Sequence, residues 1–311
     1  MKIVCDSHIP YLVEAVQNAW PHVQIYPMKP EEIDAFPVRY ADALVVRTRT
    51  QVNEALLAGS KVRLVCTATI GYDHIDTAYC EAHGIRWVSC PGCNAQAVCD
   101  YIEEALDEII NHKSQITNTP TIGVVGVGHV GSLVAKMAER KGYKVVLNDP
   151  PKGIGESLDF IAQNCDIISF HVPLNETTRH LCDEAFLTKC KPDALIINAA
   201  RGGVVDEQAL LQSGHPFIID TWENEPVINH QLLTKALRAS FHIAGYSVEG
   251  KRNATQKCLD EIATFGCLTP VLLPSFPAQG DTVPGWLERV TNILKSHPEQ
   301  FEQLRKQYPL R

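Results

Sequence analysis

Three apolar runs in the second half of the chain each end on residues able to do chemistry. Asn198-Ala-Ala-Arg201-Gly-Gly places an arginine past one run, and Asp220-Thr-Trp-Glu223-Asn-Glu225-Pro sets carboxylates past the next. Phe241-His242-Ile-Ala-Gly245-Tyr246 then supplies a histidine. A guanidinium is a fixed fork of donors that suits a carboxylate or a keto oxygen. A histidine held by a carboxylate keeps one tautomer and can take or return a proton near neutrality. In open α/β sheets, ligands bind outside the carboxyl ends of the strands, where these residues fall. Such a set suits removal of a hydroxyl proton from an anionic substrate, provided something nearby accepts a hydride.

The run at 121–125 leads into Gly126-Val127-Gly128-His129-Val130-Gly131, and a helix is predicted over 130–141. The first glycine permits a tight strand-to-helix turn, the second lets backbone approach a pyrophosphate, and the third allows close packing of helix on strand. The helix N-terminus offers unpaired N–H groups to the phosphates. A strand at 144–148 then delivers Asp149, placed to accept hydrogen bonds from a ribose 2′-hydroxyl and to repel a 2′-phosphate. NAD is therefore expected rather than NADP, although Lys152 follows closely.

Strand-length apolar runs recur between helical patterns at 2–5, 43–47, 64–67, 121–125, 145–147, 166–170, 194–197 and 217–219. Several are apolar throughout, as parallel strands covered on both faces must be, so the alternation predicts α/β doubly wound parallel sheets. A long helix over 94–112 and a polar stretch at 113–120 interrupt the rhythm, and a second long helix over 247–265 would return the chain to its first domain. The expected division is 1–93, completed by 247–265, then 94–246, then a C-terminal arm at 266–311. That arm is rich in proline and glycine up to Val283, with helices at 284–296 and 298–307.

The 311 residues allow two cores, and a net charge of −8 leaves no broad cationic surface for nucleic acid. No run approaches the length of a membrane span, and the N-terminus lacks a secretory apolar segment, so a cytoplasmic protein is expected. Eleven cysteines lie scattered in apolar runs, as buried thiols of a reducing compartment do. Cys90 and Cys93 form a C-x-x-C without a second pair or spaced histidines, so no metal site is expected.

Through GVVGVGHVGS, INAARGGVVDEQAL, DTWENEP and HIAGY, the chain resembles the D-isomer-specific 2-hydroxyacid dehydrogenases. The resemblance implies a flavodoxin-like substrate domain and a Rossmann NAD domain, with Arg201 binding substrate, His242 as acid/base and Glu225 as its partner. It implies cofactor contacts at Gly126, Gly128, His129, Val130, Gly131, Asp149, Ala199, Arg201, Asp220 and Gly245, and substrate contacts at Thr48, Thr69 and Tyr246. The blocks VVRTRTQVN, TATIGYDHID, PGCNA and HIAGYSVEGK look most like family members that oxidise 4-phospho-D-erythronate at C2 in pyridoxal phosphate synthesis. Arg47, Arg49, Lys251 and Arg252 could then meet the substrate phosphate. The same residues could also serve glycerate, lactate or 3-phosphoglycerate, or an NAD-sensing regulatory protein. A homodimer is implied as well. Two departures stand out: Val172 replaces the usual threonine, and the C-terminal region is short.

Overall fold

The runs Ala43–Val46 and Leu64–Thr67 are buried along their whole length, as strands inside a parallel sheet must be. In a computed structural model that describes residues 1–110, 119–277 and 284–311, they are central strands of the first of two compact units. Most of the expected polar stretch at 113–120 and the end of the proline-rich run lie outside the described residues. Among the described residues, the first unit comprises 1–94 and 247–277, and its sheet has five strands. These are β1 (Lys2–Asp6), β2 (Gln24–Met28), β3 (Ala43–Val46), β4 (Leu64–Thr67) and β5 (Arg86–Val88). All pair in parallel in the order β2-β1-β3-β4-β5, the flavodoxin-like arrangement.

Side chains alternate faces along each strand, and the core divides accordingly. Ile3, Cys5, Ala43, Val45, Leu64 and Cys66 pack with Leu12, Val16, Leu259 and Ile262. On the other face, Val4, Leu44, Val46 and Val65 pack with Val38, Leu57 and Cys80. Leu259 and Ile262 belong to the helix Val248–Gly266, whose start is capped by Ser247 accepting from the Gly250 N–H at 2.9 Å.

The second unit comprises Ala95–Tyr246 together with the described residues 284–311. Its strands are β6 (Thr121–Val125), β7 (Lys144–Asp149), β8 (Ile154–Gly155), β9 (Ile167–Phe170), β10 (Leu195–Asn198), β11 (Phe217–Ile219) and β12 (Arg238–Ala239). The order is β12-β11-β10-β9-β6-β7-β8, parallel except for β8, so the winding reverses between β6 and β9. A doubly wound sheet opens its ligand crevice at such a reversal. The long helix expected at 94–112 is described over Ala95–Ile110, and its Tyr101, Ile102, Ala105 and Leu106 lie in this core. Among the described residues no helix is long and apolar enough to cross a membrane.

The segment expected as one arm at 266–311 divides between the units. Leu268, Val271 and Leu273 pack in the first, where the Trp20 indole donates to the Thr269 carbonyl at 2.9 Å. Trp286, Leu287, Val290, Leu294 and Phe301 pack in the second. The physical reason is the amphipathic helix Trp286–Ser296: its apolar stripe needs a core, and it lies along the β12 edge, with Thr291 Oγ1 accepting from the Ala239 N–H at 2.9 Å.

Candidate active site

At the crevice between β6 and β9, the Gly126 turn is drawn so close to the next strand end that only glycine fits. Gly126 has φ +91, and a Cβ there would stand 2.7 Å from the His171 carbonyl oxygen and 2.9 Å from Val172 Cγ1. Val172 thus packs on this turn. Gly131 is tighter still, since its Cβ would fall 1.9 Å from the Gly126 carbonyl oxygen. A Cβ on Gly128 would meet nothing within 4 Å. Gly128 also caps the helix His129–Arg140 without any side-chain bond to its first turn. Open space above a bare helix N-terminus fits a dinucleotide pyrophosphate. Asp149 ends β7 and turns Oδ2 to the Val127 N–H at 2.9 Å, so the acid lies against the same loop. Lys152 Nζ lies 3.4 Å from that oxygen and donates to the Val127 carbonyl at 2.6 Å.

The ends of β10, β11 and β12 lie side by side, which brings Arg201, Glu225 and His242 to one edge of the sheet. Buried Asn198 shapes the first loop: its side chain donates to the Arg201 carbonyl at 2.9 Å and accepts from the Ala200 N–H at 3.1 Å. Ala199 and Arg201 remain half-buried. The loop then presses on the next strand end, because a Cβ on Gly202 would stand 2.0 Å from the Trp222 carbonyl oxygen.

The carboxylates beyond β11 part company. Glu225 Oε2 accepts from His242 Nδ1 at 2.8 Å and Oε1 from the Trp222 N–H at 2.8 Å. Burial alone would raise its pKa, but His242, the Trp222 N–H and the Arg305 charge outweigh that and hold it below the usual value. Glu223 instead takes His180, Oε1 to Nε2 at 2.6 Å. Asp220 is only 1 % exposed and holds the histidine loop, accepting from Ser240 Oγ (2.6 Å) and the N–H groups of Ile243 (2.8 Å) and Ala244 (3.0 Å). Asp220 thus clamps the backbone that carries His242, Gly245 and Tyr246. An asparagine has one acceptor oxygen in place of two. Asp220→Asn is thus expected to lower stability by about 1–3 kcal/mol through unmade buried bonds, and turnover with it. Thermal unfolding and kcat check this, and a variant equal to wild type in both would show the clamp to be dispensable.

In the first unit, Thr48 is exposed just past β3, and Thr69 is half-buried past β4. Thr69 Oγ1 donates to the Gly71 carbonyl at 2.9 Å and pairs with Thr67 Oγ1 at 2.6 Å, which in turn meets His74 Nε2 at 3.0 Å. Burial lowers the pKa of His74. The reversal of winding between β1 and β3 holds a pair that the sequence did not announce: Arg47 Nε donates to buried Asp6 at 2.7 Å. Burial would raise the Asp6 pKa, but the bonds from Arg47 and His8 bring it below the usual value. Asp6 ending an apolar run was the only signal. Of the cations proposed for a phosphate, Arg47 is engaged by Asp6, and Arg252 donates to the carbonyls of Leu273 and Pro274 at 2.5 and 2.8 Å. Cys90 of the C-x-x-C is a buried thiol donating to the carbonyls of Thr67 and Ala254, both at 3.3 Å.

Residues 105–244 match the family described as D-isomer specific 2-hydroxyacid dehydrogenase, NAD binding domain. Over 340 aligned residues the chain is 43% identical to an erythronate-4-phosphate dehydrogenase of Bacteroides fragilis, covering 100% of this chain and 97% of the relative. It is 38% identical over 350 residues to the enzyme of that name from Porphyromonas gingivalis, covering 99% and 92%. The fold is shared with an NAD+-bound 3-phosphoglycerate dehydrogenase in Entamoeba histolytica, at TM-score 0.73 and 22% identity over 88% of this chain and 99% of that one. It is shared also with a D-lactate dehydrogenase from Aquifex aeolicus complexed with NAD and lactic acid, at TM-score 0.68 and 24% identity over 85% and 95%. The chain belongs to the D-isomer-specific 2-hydroxyacid dehydrogenase family, with NAD as its cofactor.

Proposed function

We propose that the chain oxidises 4-phospho-D-erythronate at C2 to its 2-oxo acid, as a cytoplasmic homodimer in the synthesis of pyridoxal phosphate. The observation that carries this reading is the His242–Glu225 bond of 2.8 Å in a chain 43% identical, end to end, to a protein named for that substrate.

NAD supplies the acceptor for the C2 hydride. Arg201 binds the substrate carboxylate and the oxygen that becomes the keto group, where its fork stabilises developing negative charge. His242, with Nδ1 committed to Glu225, uses Nε2 to take the proton of the 2-hydroxyl. Glu225 stabilises the imidazolium that results. Thr48 and Thr69 would contact substrate from the first unit and Tyr246 from the second, and Gly126, Gly128, His129, Val130, Gly131 and Asp149 would hold the pyrophosphate and adenosine ribose of NAD. Ala199, Arg201, Asp220 and Gly245 would hold the rest of the cofactor, Asp220 also ordering the loop that carries His242.

The test follows NADH formation with 4-phospho-D-erythronate, D-glycerate, D-lactate and 3-phosphoglycerate, each with and without an added 2-oxo acid to reoxidise bound NADH. The highest kcat/KM is expected for 4-phospho-D-erythronate. A higher value for another acid, or no turnover in either format, would overturn the substrate assignment.

A further inference from the structure

The last described helix and the residues after it have no part in the chemistry above, yet two of their arginines reach the loop that carries it. Arg311 is a charged side chain only 9% exposed. Its Nη2 donates to the Ala244 carbonyl at 2.7 Å and to the Ala97 carbonyl at 3.3 Å. Its guanidinium carbon lies 4.5 Å from the Trp286 ring centroid and 5.8 Å from that of Tyr101, and Nη1 is 3.6 Å from Glu104. A guanidinium desolvated between aromatic faces and a carboxylate is a firm anchor, and an ammonium would not reproduce its planar stack.

The anchored group is what matters. Ala244 lies two residues beyond His242, and its N–H is already held by Asp220 Oδ2 at 3.0 Å. One residue of the catalytic loop is thus gripped through both N–H and carbonyl, from the sheet by Asp220 and from the other side by Arg311. The Arg311 N–H also donates to the Tyr246 carbonyl at 3.4 Å. Arg305, from the helix Phe301–Gln307, places its guanidinium carbon 5.8 Å from the Tyr246 ring centroid.

We propose that Arg305 and Arg311 are positioning residues of the dehydrogenase: Arg311 fixes the 242–246 loop through the Ala244 carbonyl, and Arg305 braces the Tyr246 ring. The mechanistic part rests on the function proposed above. Tyr246 ends the loop that Arg311 holds, and a guanidinium over its ring restrains that side chain. Loss of the guanidinium should therefore free the ring and raise the KM for the hydroxy acid more than it lowers kcat.

Four variants test this in the full chain. Arg305→Gln is expected to raise the KM for 4-phospho-D-erythronate several-fold with kcat near wild type, and Arg305→Lys, which keeps a cation over the ring, to raise it less. Arg311→Met is expected to lower kcat about tenfold through misplacement of the loop, with the Kd for NAD within about a factor of two. Amide hydrogen exchange over 242–246 should quicken in Arg311→Met and stay unchanged in Lys306→Gln, an exposed neighbour. Wild-type kcat and exchange in Arg311→Met, or an unchanged KM in Arg305→Gln, would overturn the proposal. Should Arg311→Met fail to fold, the Arg305 pair decides. The exchange experiment needs no substrate, so a wild-type chain inert toward 4-phospho-D-erythronate would sink the substrate assignment without touching the anchoring of the loop.

Discussion

His242→Asn is expected to slow the chemical step about 10²- to 10⁴-fold, the usual contribution of a positioned acid/base, while leaving the Kd for NAD within a factor of about two. Asparagine is the informative replacement because the backbone at 242 is left-handed, with φ 61. Asparagine tolerates that conformation better than alanine, so the backbone stays in place while the proton carrier is lost. An amide can still donate to Glu225 Oε2, the partner now at 2.8 Å, so the buried carboxylate keeps a hydrogen bond. What the amide cannot do is accept a hydroxyl proton as hydride leaves C2. Single-turnover kinetics with C2-deuterated substrate would show the slow step to be chemical through a full primary isotope effect. A variant with wild-type turnover would remove His242 from the mechanism.

Gly131→Ala should abolish tight cofactor binding. Its new methyl would stand 1.9 Å from the Gly126 carbonyl oxygen and 3.3 Å from Val124 Cγ1, and the first of these is backbone. Either the helix His129–Arg140 lifts off β6 or the Gly126 turn is displaced, and both carry N–H groups proposed to meet the pyrophosphate. Overpacking of this kind costs about 1–3 kcal/mol or more in stability, and NAD affinity should fall more than about tenfold with the lost geometry. Gly128→Ala separates the two effects, because a Cβ there meets nothing within 4 Å. It should leave the melting temperature nearly unchanged and still weaken NAD, by filling space that the phosphates approach. Fluorescence titration with NADH and thermal unfolding report the two quantities. Wild-type binding by Gly131→Ala would contradict the reading of this turn.

The central strands were legible because their burial is written in consecutive residues. β4 coincides with the expected run at 64–67, and β9 with 166–170 to within a residue, each buried along its whole length because both faces are covered. Three strands escaped notice: β2, β5 and β8. They lie at or next to the sheet edges, and β2 and β5 are largely exposed or half-buried, with Pro27 inside β2. An edge strand needs neither continuous apolarity nor a full ladder, so its sequence resembles a loop.

The site divides in the same way. The glycine loop, Asp149, Arg201 and His242 were readable because a strand end, a turn and a helix start are local events, fixed by residues a few positions apart. Asp220, Glu223 and Glu225 look alike within one short segment, yet one clamps a loop, one pairs with His180 and one with His242. Arg47 and Asp6 meet across 41 positions, and Arg311 reaches Ala244 across 67. By itself the sequence determined the α/β architecture, the dinucleotide loop and the residue types available for acid/base work, because backbone geometry and burial depend on near neighbours. Only the tertiary structure decided what Asp220 and Glu223 hold and which arginines grip the histidine loop, because such pairings depend on through-space distance and shared burial.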